Sequence, residues 1–331
     1  MIKYPPIKIN LGLNVLRKRE DGFHDLETLF LESGRFHDTL EIVTGDDYSR
    51  TMASLAARYG DRGGICDGDI PALAQGISEN GKLMITVARA EGVDWDVRKD
   101  LCAKAYALLD NDFKLPPAKI FLEKNSPVGA GLGGGSADAA YTLTMLNDIC
   151  SLGLSTEQLA GYAARLGSDC AFFIFGRPMF GEGRGEVLTP FELAVDIVDA
   201  GGAACSGSRT GSSDGGNDSS GTSTARPCTR GHPEKDRPQY ELQIVIPEGI
   251  SVSTTEAYRG ITPAIPEMRL KDVLARPVSE WKDLLVNDFE ATVFKAHPEL
   301  AAIKQSLYDS GAIYASMSGS GSALFALDER R

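Results

Sequence analysis

From Pro127 to Ala137 the chain reads Pro-Val-Gly-Ala-Gly-Leu-Gly-Gly-Gly-Ser-Ala, with glycine at 129, 131, 133, 134 and 135. Glycines this dense let successive backbone N–H groups turn toward one point and let a bulky anion come within hydrogen-bonding distance. A strand-like segment, Lys119 to Glu123, leads into the run, and a helix-like one, Ala137 to Ile149, leads out. A helix start supplies unpaired N–H donors and the positive end of a dipole, so the loop has the chemistry of a phosphate cradle. Ser136 stands where a serine caps a helix, and a cap at such a terminus faces the anion. A flexible linker would not sit hard between an apolar strand and a helix.

Two other phosphate loops fit less well. A Walker site needs lysine after its glycine, and no glycine of this run is followed by one. Gly129-Ala-Gly131-Leu-Gly-Gly134 matches the dinucleotide pattern G-x-G-x-x-G letter by letter, but Ser126-Pro127 separates the strand from the first glycine. Where that fold wants an acidic residue closing a second strand, the chain has Cys150-Ser-Leu-Gly-Leu-Ser155, a loop opening another helix.

The surrounding elements are partly legible. Ile7 to Asn14 alternates strictly, which puts Ile7, Ile9, Leu11 and Leu13 on one strand face and Lys8, Asn10, Gly12 and Asn14 on the other. Arg17 to Gly22 is a charged turn closed by Asp-Gly, and Asp38 to Val43 is a short strand. Leu83 to Val87 suits a helix or a strand, Asp100 to Leu109 has helical spacing, and Cys170 to Phe175 is a buried run of ambiguous type. Ser155-Thr-Glu-Gln158 resembles a capping box whose helix stops near Gly167. Tyr48 to Ser78 reads as an irregular excursion carrying one short helix. Residues 201–236 are Ser, Gly, Thr and Asp with hardly any large apolar residue, so they are expected to be a disordered hairpin loop between strand-like Leu193 to Val198 and Leu242 to Ile246.

With 331 residues, 42% of them hydrophobic and 24% charged, the chain is long enough for two domains with real cores. A net charge of -12 argues against nucleic acid or an anionic membrane as the main partner, while a nucleotide needs only local donors. No apolar run approaches a membrane span of roughly 20 residues. The N-terminus reads as entering a strand at once, so no signal peptide is expected. Six cysteines without a C-x-x-C pair suggest reduced core thiols, and four histidines without ligand spacing argue against a protein-bound transition metal. A cytoplasmic protein, monomeric or weakly dimeric, is expected.

The glycine run is similar to the Pro-x-x-x-Gly-Leu-Gly-Ser/Gly-Ser-Ser/Ala loop of the GHMP kinases. Pro127, Gly131, Leu132, Gly133, Gly135, Ser136 and Ala137 match in place. Three further segments narrow the likeness. Pro6 to Val15 with Asp21-Gly-Phe-His24 and Glu27 to Phe30, then Leu166-Gly-Ser-Asp-Cys-Ala-Phe-Phe173, then Met317-Ser-Gly-Ser-Gly-Ser-Ala-Leu-Phe325, resemble the 4-diphosphocytidyl-2-C-methyl-D-erythritol kinase family in family order. Mevalonate and homoserine kinases lack the Asp-Gly-aromatic-His element. A catalytically silent sensor on the same fold would be expected to lose Lys8 or Asp169, and both are present.

The resemblance implies a two-domain α+β fold. Residues 1–176 would form a ribosomal-S5-domain-2-like ATP-binding domain with an insertion at about 48–78. Residues 177–331 would form a ferredoxin-like domain carrying the 201–236 loop. It implies ATP with Mg²⁺, and phosphorylation of the 2-hydroxyl of a CDP-sugar alcohol on the methylerythritol phosphate route to isoprenoids. Lys8 and Asp169 match the catalytic pair. Pro127, Gly129, Gly131, Leu132, Gly133, Gly134, Gly135, Ser136 and Ala137 would hold the ATP phosphates, with Ser136 also near Mg²⁺. Asp100 replaces the family's adenosine-side Asn, and Phe23 replaces its usual Tyr. Asn10, Phe23, His24, Thr254, Tyr258, Gly319 and Gly321 would meet the second substrate, Phe23 stacking on cytosine and His24 reading its edge.

Overall fold

The computed structural model describes residues 1–45, 58, 70–200 and 237–330. The N-terminal part runs β1 (Ile2–Lys3), β2 (Pro6–Lys18), β3 (His24–His37), β4 (Thr39–Thr44), β5 (Leu73–Ile77), β6 (Leu83–Arg89), α1 (Leu101–Phe113), β7 (Ala118–Lys124), α2 (Gly134–Ile149), α3 (Thr156–Ala164), α4 (Cys170–Phe175), β8 (Met179–Glu182) and β9 (Val187–Pro190). It continues through β10 (Asp196–Asp199), β11 (Gln239–Val245), α5 (Thr254–Tyr258), α6 (Leu270–Leu274), α7 (Trp281–Leu284), α8 (Phe289–Ala296), α9 (Pro298–Asp309), β12 (Tyr314–Met317) and β13 (Leu324–Glu329).

Three sheets stack with helices between and outside them. The first has the order β1-β4-β7-β6-β5, and α1 and α2 cover one face through Tyr106, Leu109, Leu143 and Leu146. Its only parallel pair among the described strands is β6 with β7, which is not the doubly wound sheet of a dinucleotide fold. The second, β2-β3-β8-β9, packs Phe30 and Met179 on Phe172 and Phe173 of α4. Its other face sets Ile7, Ile9, Leu29 and Phe180 against Trp281, Leu242, Phe325 and Leu327. The third sheet, β10-β11-β13-β12, carries Leu242, Phe325 and Leu327 and turns Met317, Leu324 and Ala326 toward Phe289 and Val293 of α8 and Leu300 of α9.

Several elements differ from what the sequence suggested. The strict alternation of β2 breaks at Gly12, where the register with β3 shifts between Leu11 and Leu13. A bulge adds one residue and reverses the phase of all that follow, so Leu13 and Val15 join the α8–α9 cluster instead of following Ile7, Ile9 and Leu11. Glycine is required there, with φ at 71° and Leu270 and Leu285 pressed against the place a Cβ would take. The ambiguous run Leu83 to Val87 is a strand, and Cys170 to Phe175 is a helix. Leu73–Ile77, inside the excursion at 48–78, is strand β5 paired with β6; the expected short helix there lies outside the described residues.

The strands flanking 201–236 do not form a hairpin. β10 and β11 run parallel, Asp196 opposite Gln239 and Asp199 opposite Leu242, and parallel neighbours need a crossover of about a dozen or more residues. The loop itself lies outside the described residues. Past the expected domain boundary at 176/177, β8 and β9 still extend the β2–β3 sheet. The capping box at Ser155 and Gln158 is present. Cys102, Cys150 and Cys170 are free thiols; Cys66, Cys205 and Cys228 lie outside the described residues. No helix among the described residues is long and apolar enough to cross a membrane.

Candidate active site

A cleft of about 770 Å³ runs between the glycine loop, strand β2 and the loops that precede α5 and follow β12. Gly129, Gly131 and Gly133 hold φ values of 76°, 76° and 72°. These conformations suit residues without a Cβ, and they turn the loop so that α2 opens onto the cleft. Gly133 is the N-cap of α2 and no side chain caps that terminus. The expected cap, Ser136, lies inside the first turn, because the glycines themselves enter the helix and start it three residues before Ala137. The uncapped N–H groups are thus free for an anion.

The lysine and aspartate singled out in sequence meet on the cleft wall. Lys8 Nζ stands 3.2 Å from Asp169 Oδ2 and donates to Asn10 Oδ1 at 2.5 Å and to the Gly131 carbonyl at 3.0 Å. The Lys8 side chain is 4% exposed and that of Asp169 33%, so the ammonium is fixed and the carboxylate reachable. Asp169 occupies the N-cap of α4 without capping it; its carboxylate turns to Lys8 instead. β2 is an edge strand, yet its polar face is buried beneath the loops, with Lys8 and Asn10 each 3% exposed. Asn10 donates to Thr28 Oγ1 at 3.0 Å, and that hydroxyl donates to the Gly12 carbonyl at 2.6 Å.

The C-terminal loop closes on the same point. Ser318 Oγ bonds the Gly131 carbonyl and accepts the Asn10 N–H, both at 3.3 Å, and the Ala323 N–H donates to the Ala130 carbonyl at 3.1 Å. Asn287, 2% exposed, donates to the Met317 and Gly319 carbonyls at 2.7 and 2.9 Å. A Cβ on Gly131 would collide with the Ser318 carbonyl oxygen. Gly319 reaches the cleft wall, whereas Gly321 lies behind it against Gly131.

Pro127, Gly129, Gly131 to Ser136 and Asp100 line one stretch of the cleft, while Ala137 is buried beneath it against Phe30 and Phe172. Asp100 is committed elsewhere: it caps α1 through the Cys102 N–H at 2.9 Å and accepts the Trp95 indole N–H at 3.2 Å. Trp95, which sequence reasoning did not single out, therefore stands on the wall beside it. Lys124 and Asp138 were missed as well. Lys124 bonds Asp38 and, at 2.6 Å, Asp138, all three nearly inaccessible below the glycine loop. Burial opposes the Lys124 charge, but Asp138 and Asp38 outweigh it and hold the ammonium protonated. Burial pushes the Asp138 carboxyl well above the usual range against the pull of Lys124. A lysine immediately before a phosphate loop was the available signal.

Thr254 and Tyr258 line the other end. Thr254 Oγ1 is 3.4 Å from Ser320 Oγ, and the His24 ring stacks on Tyr258 at 4.7 Å and 22°. Burial raises the Tyr258 hydroxyl, with the charge of Asp169 second. Phe23 and His24 stand just beyond the wall, reached through Tyr258 and Arg184. Burial, then the Lys18 charge, lowers the His24 ring below its usual 6.5. Burial pushes the Cys170 thiol beside Asp169 up to about 11, which leaves it protonated and inert.

An uncapped helix start wrapped in glycine, facing a lysine–carboxylate pair, defines a small-molecule kinase of the GHMP class. Family models of the GHMP kinases N terminal domain and the GHMP kinases C terminal match residues 100–177 and 270–331. A 4-diphosphocytidyl-2-C-methyl-D-erythritol kinase of Bacteroides thetaiotaomicron is 38% identical over 329 residues, covering 99% of this chain and 92% of its own. Its namesake in Bacteroides fragilis is 37% identical over 327 residues, with the same coverage. A crystal structure of 4-(cytidine 5'-diphospho)-2C-methyl-D-erythritol kinase is 25% identical, with a TM-score of 0.64 over 99% of this chain and 90% of that one. The chain belongs to the 4-diphosphocytidyl-2-C-methyl-D-erythritol kinase family, and the expected two-domain GHMP kinase fold holds.

Proposed function

We propose that the protein transfers the γ-phosphoryl group of ATP to the 2-hydroxyl of 4-(cytidine 5'-diphospho)-2-C-methyl-D-erythritol, on the methylerythritol phosphate route to isoprenoids. The observation that carries this reading is the Lys8–Asp169 pair, 3.2 Å apart and pinned to the glycine loop through the Gly131 carbonyl. Phosphoryl transfer asks a protein mainly for positioning and charge stabilisation. Residues Gly129 to Ser136 supply N–H donors to the phosphates. Asp169 takes the proton of the attacking hydroxyl, an assistance typically worth about 10²–10⁴-fold in rate. Lys8 keeps that carboxylate ionised and offsets charge growing on the transferred group.

Asn10, tied to Lys8, orients the substrate diol in this reading. Phe23, His24, Thr254 and Tyr258 form the cytidine end, and Gly319 and Gly321 let the C-terminal loop come close. A hard cation would arrive with the ATP phosphates. The donor chemistry fits Mg²⁺ through the Ser136 hydroxyl, a hard oxygen donor on the cleft wall in the first turn of α2. Ser136 would help to hold the ion, which would supply charge neutralisation at the phosphates. Small molecules are the partners, and a monomer or weak homodimer in the cytoplasm suits a net charge of -12. Coupled assay of ADP release tests the reading. Turnover of the CDP-alcohol with none of mevalonate or homoserine is expected, and the reverse preference would overturn it.

A further inference from the structure

Arg184 projects from the turn joining β8 and β9, between Gly183 at φ 68° and Gly185 at φ 102°. Its guanidinium lies over the Phe23 ring, 4.9 Å from the ring centre. Phe23 is 53% exposed, so the arginine covers an aromatic face that otherwise meets water. Arg184 also lines the cleft. Its charge is lightly committed: Nε lies 3.3 Å from Glu186 Oε1, while the closer carboxylate oxygen takes the Arg184 backbone N–H at 2.5 Å.

The other cations of the cleft wall are occupied or distant. Lys8 is shared by Asp169, Asn10 and Gly131, and Lys124 by Asp38 and Asp138. Lys99 lines the cleft beside Trp95 and Asp100, the stretch that the CDP-alcohol reading gives to the adenosine of ATP. A CDP-alcohol whose base is held at Phe23 and whose hydroxyl is at Asp169 brings a diphosphate in between. The glycine loop cannot serve that diphosphate, because it serves ATP.

We propose that Arg184 binds the cytidine-side diphosphate and rests on Phe23 until it arrives. This rests on the CDP-alcohol reading above. In the free protein the cation covers the ring; with substrate present it swings to the phosphates and leaves the face open to cytosine. A two-pronged, charge-assisted bond to phosphate outweighs an exposed contact with a ring, so the exchange favours the bound state. The arginine makes uptake of the base and of the diphosphate one event.

Calorimetric titration of the full chain with CDP and with cytidine tests this, a non-hydrolysable ATP analogue filling the glycine loop. Wild type is expected to bind CDP more tightly than cytidine, by a margin that shrinks with added salt. Arg184→Ala should weaken CDP by about 10- to 100-fold and leave cytidine unchanged or slightly tighter. Arg184→Lys should recover part of the loss, and KM for ATP should hold in both variants. Equal losses for CDP and cytidine in Arg184→Ala would overturn the assignment, making the arginine a prop for the ring. Unchanged affinities for both would overturn it as well. A wild-type protein that binds neither ligand would overturn the CDP-alcohol reading together with it.

Discussion

Lys8 keeps two partners besides Asp169, in Asn10 and the Gly131 carbonyl, so removing the carboxylate's charge should separate binding from turnover. Asp169→Asn is expected to leave ATP and substrate affinity near wild type while turnover falls by about two to four decades. Single-turnover kinetics beside calorimetry reads both, and near-normal turnover would leave Asp169 a purely positional role. His24 gives a pH signature. Its ring is held below 6.5 by burial, then by Lys18, so it stays neutral at pH 7 and remains able to accept from a base edge. KM for the CDP-alcohol is expected to be flat from pH 8 to about 6.5 and to rise below that as the ring gains a proton, while KM for ATP does not follow; a His24→Gln variant should lose the rise. At this scale the sequence was read through motifs. Lys8 alone resembles the polar face of a strand and Asp169 a helix cap, and only the motif order distinguished them. Trp95, Lys124, Asp138 and Arg184 escaped because their meaning lies in distant partners: Lys124 meets Asp38 from 86 residues away.

Three elements converge at Lys124, which closes β7 and ties the β3–β4 junction at Asp38 to Asp138 of α2. Asp38 also accepts the Asn125 and Ser126 N–H groups, each at 2.7 Å, fixing the entry to the glycine loop. Lys124→Met strands two buried carboxylates and should cost about 3–5 kcal/mol, as breaking buried pairs does; urea unfolding measures it, and a loss under 1 kcal/mol would contradict the triad's role. The parallel pairing of β10 and β11 makes a second prediction. Removing 202–235 leaves a connection too short for a crossover of about a dozen residues, so β10 should detach and the melting temperature should fall. A deletion that keeps about 15 loop residues should be neutral, because loop length costs stability only logarithmically. Equal melting of both deletions would refute this. Local signals such as the Ser155 capping box and the first half of β2 were legible in sequence. Strand direction and the phase shift at Gly12 were not, since pairing partners decide both.

At the scale of the molecule the site is shared between strand β2 and the loop that follows β12. Gly131→Ala places a methyl group against the Ser318 carbonyl, at a φ of 76° that side chains rarely adopt. Turnover should drop at least about ten-fold as the two loops part, with circular dichroism unchanged; unimpaired activity would mean the loops need not touch. The two-domain class was legible because its motifs are spread along the chain. The stacking of three sheets was not, because both faces of β2 are buried and alternation cannot reveal which neighbour covers each.

That shared site sets the order in which activity can emerge during synthesis. Lys8 leaves the ribosome about 310 residues before Ser318 and Gly319, which brace its surroundings. A nascent chain can assemble the sheet beneath the glycine loop and still have no finished place to put a phosphate. The enzyme cannot begin to consume ATP before the loop after β12 has been made and has folded back onto β2.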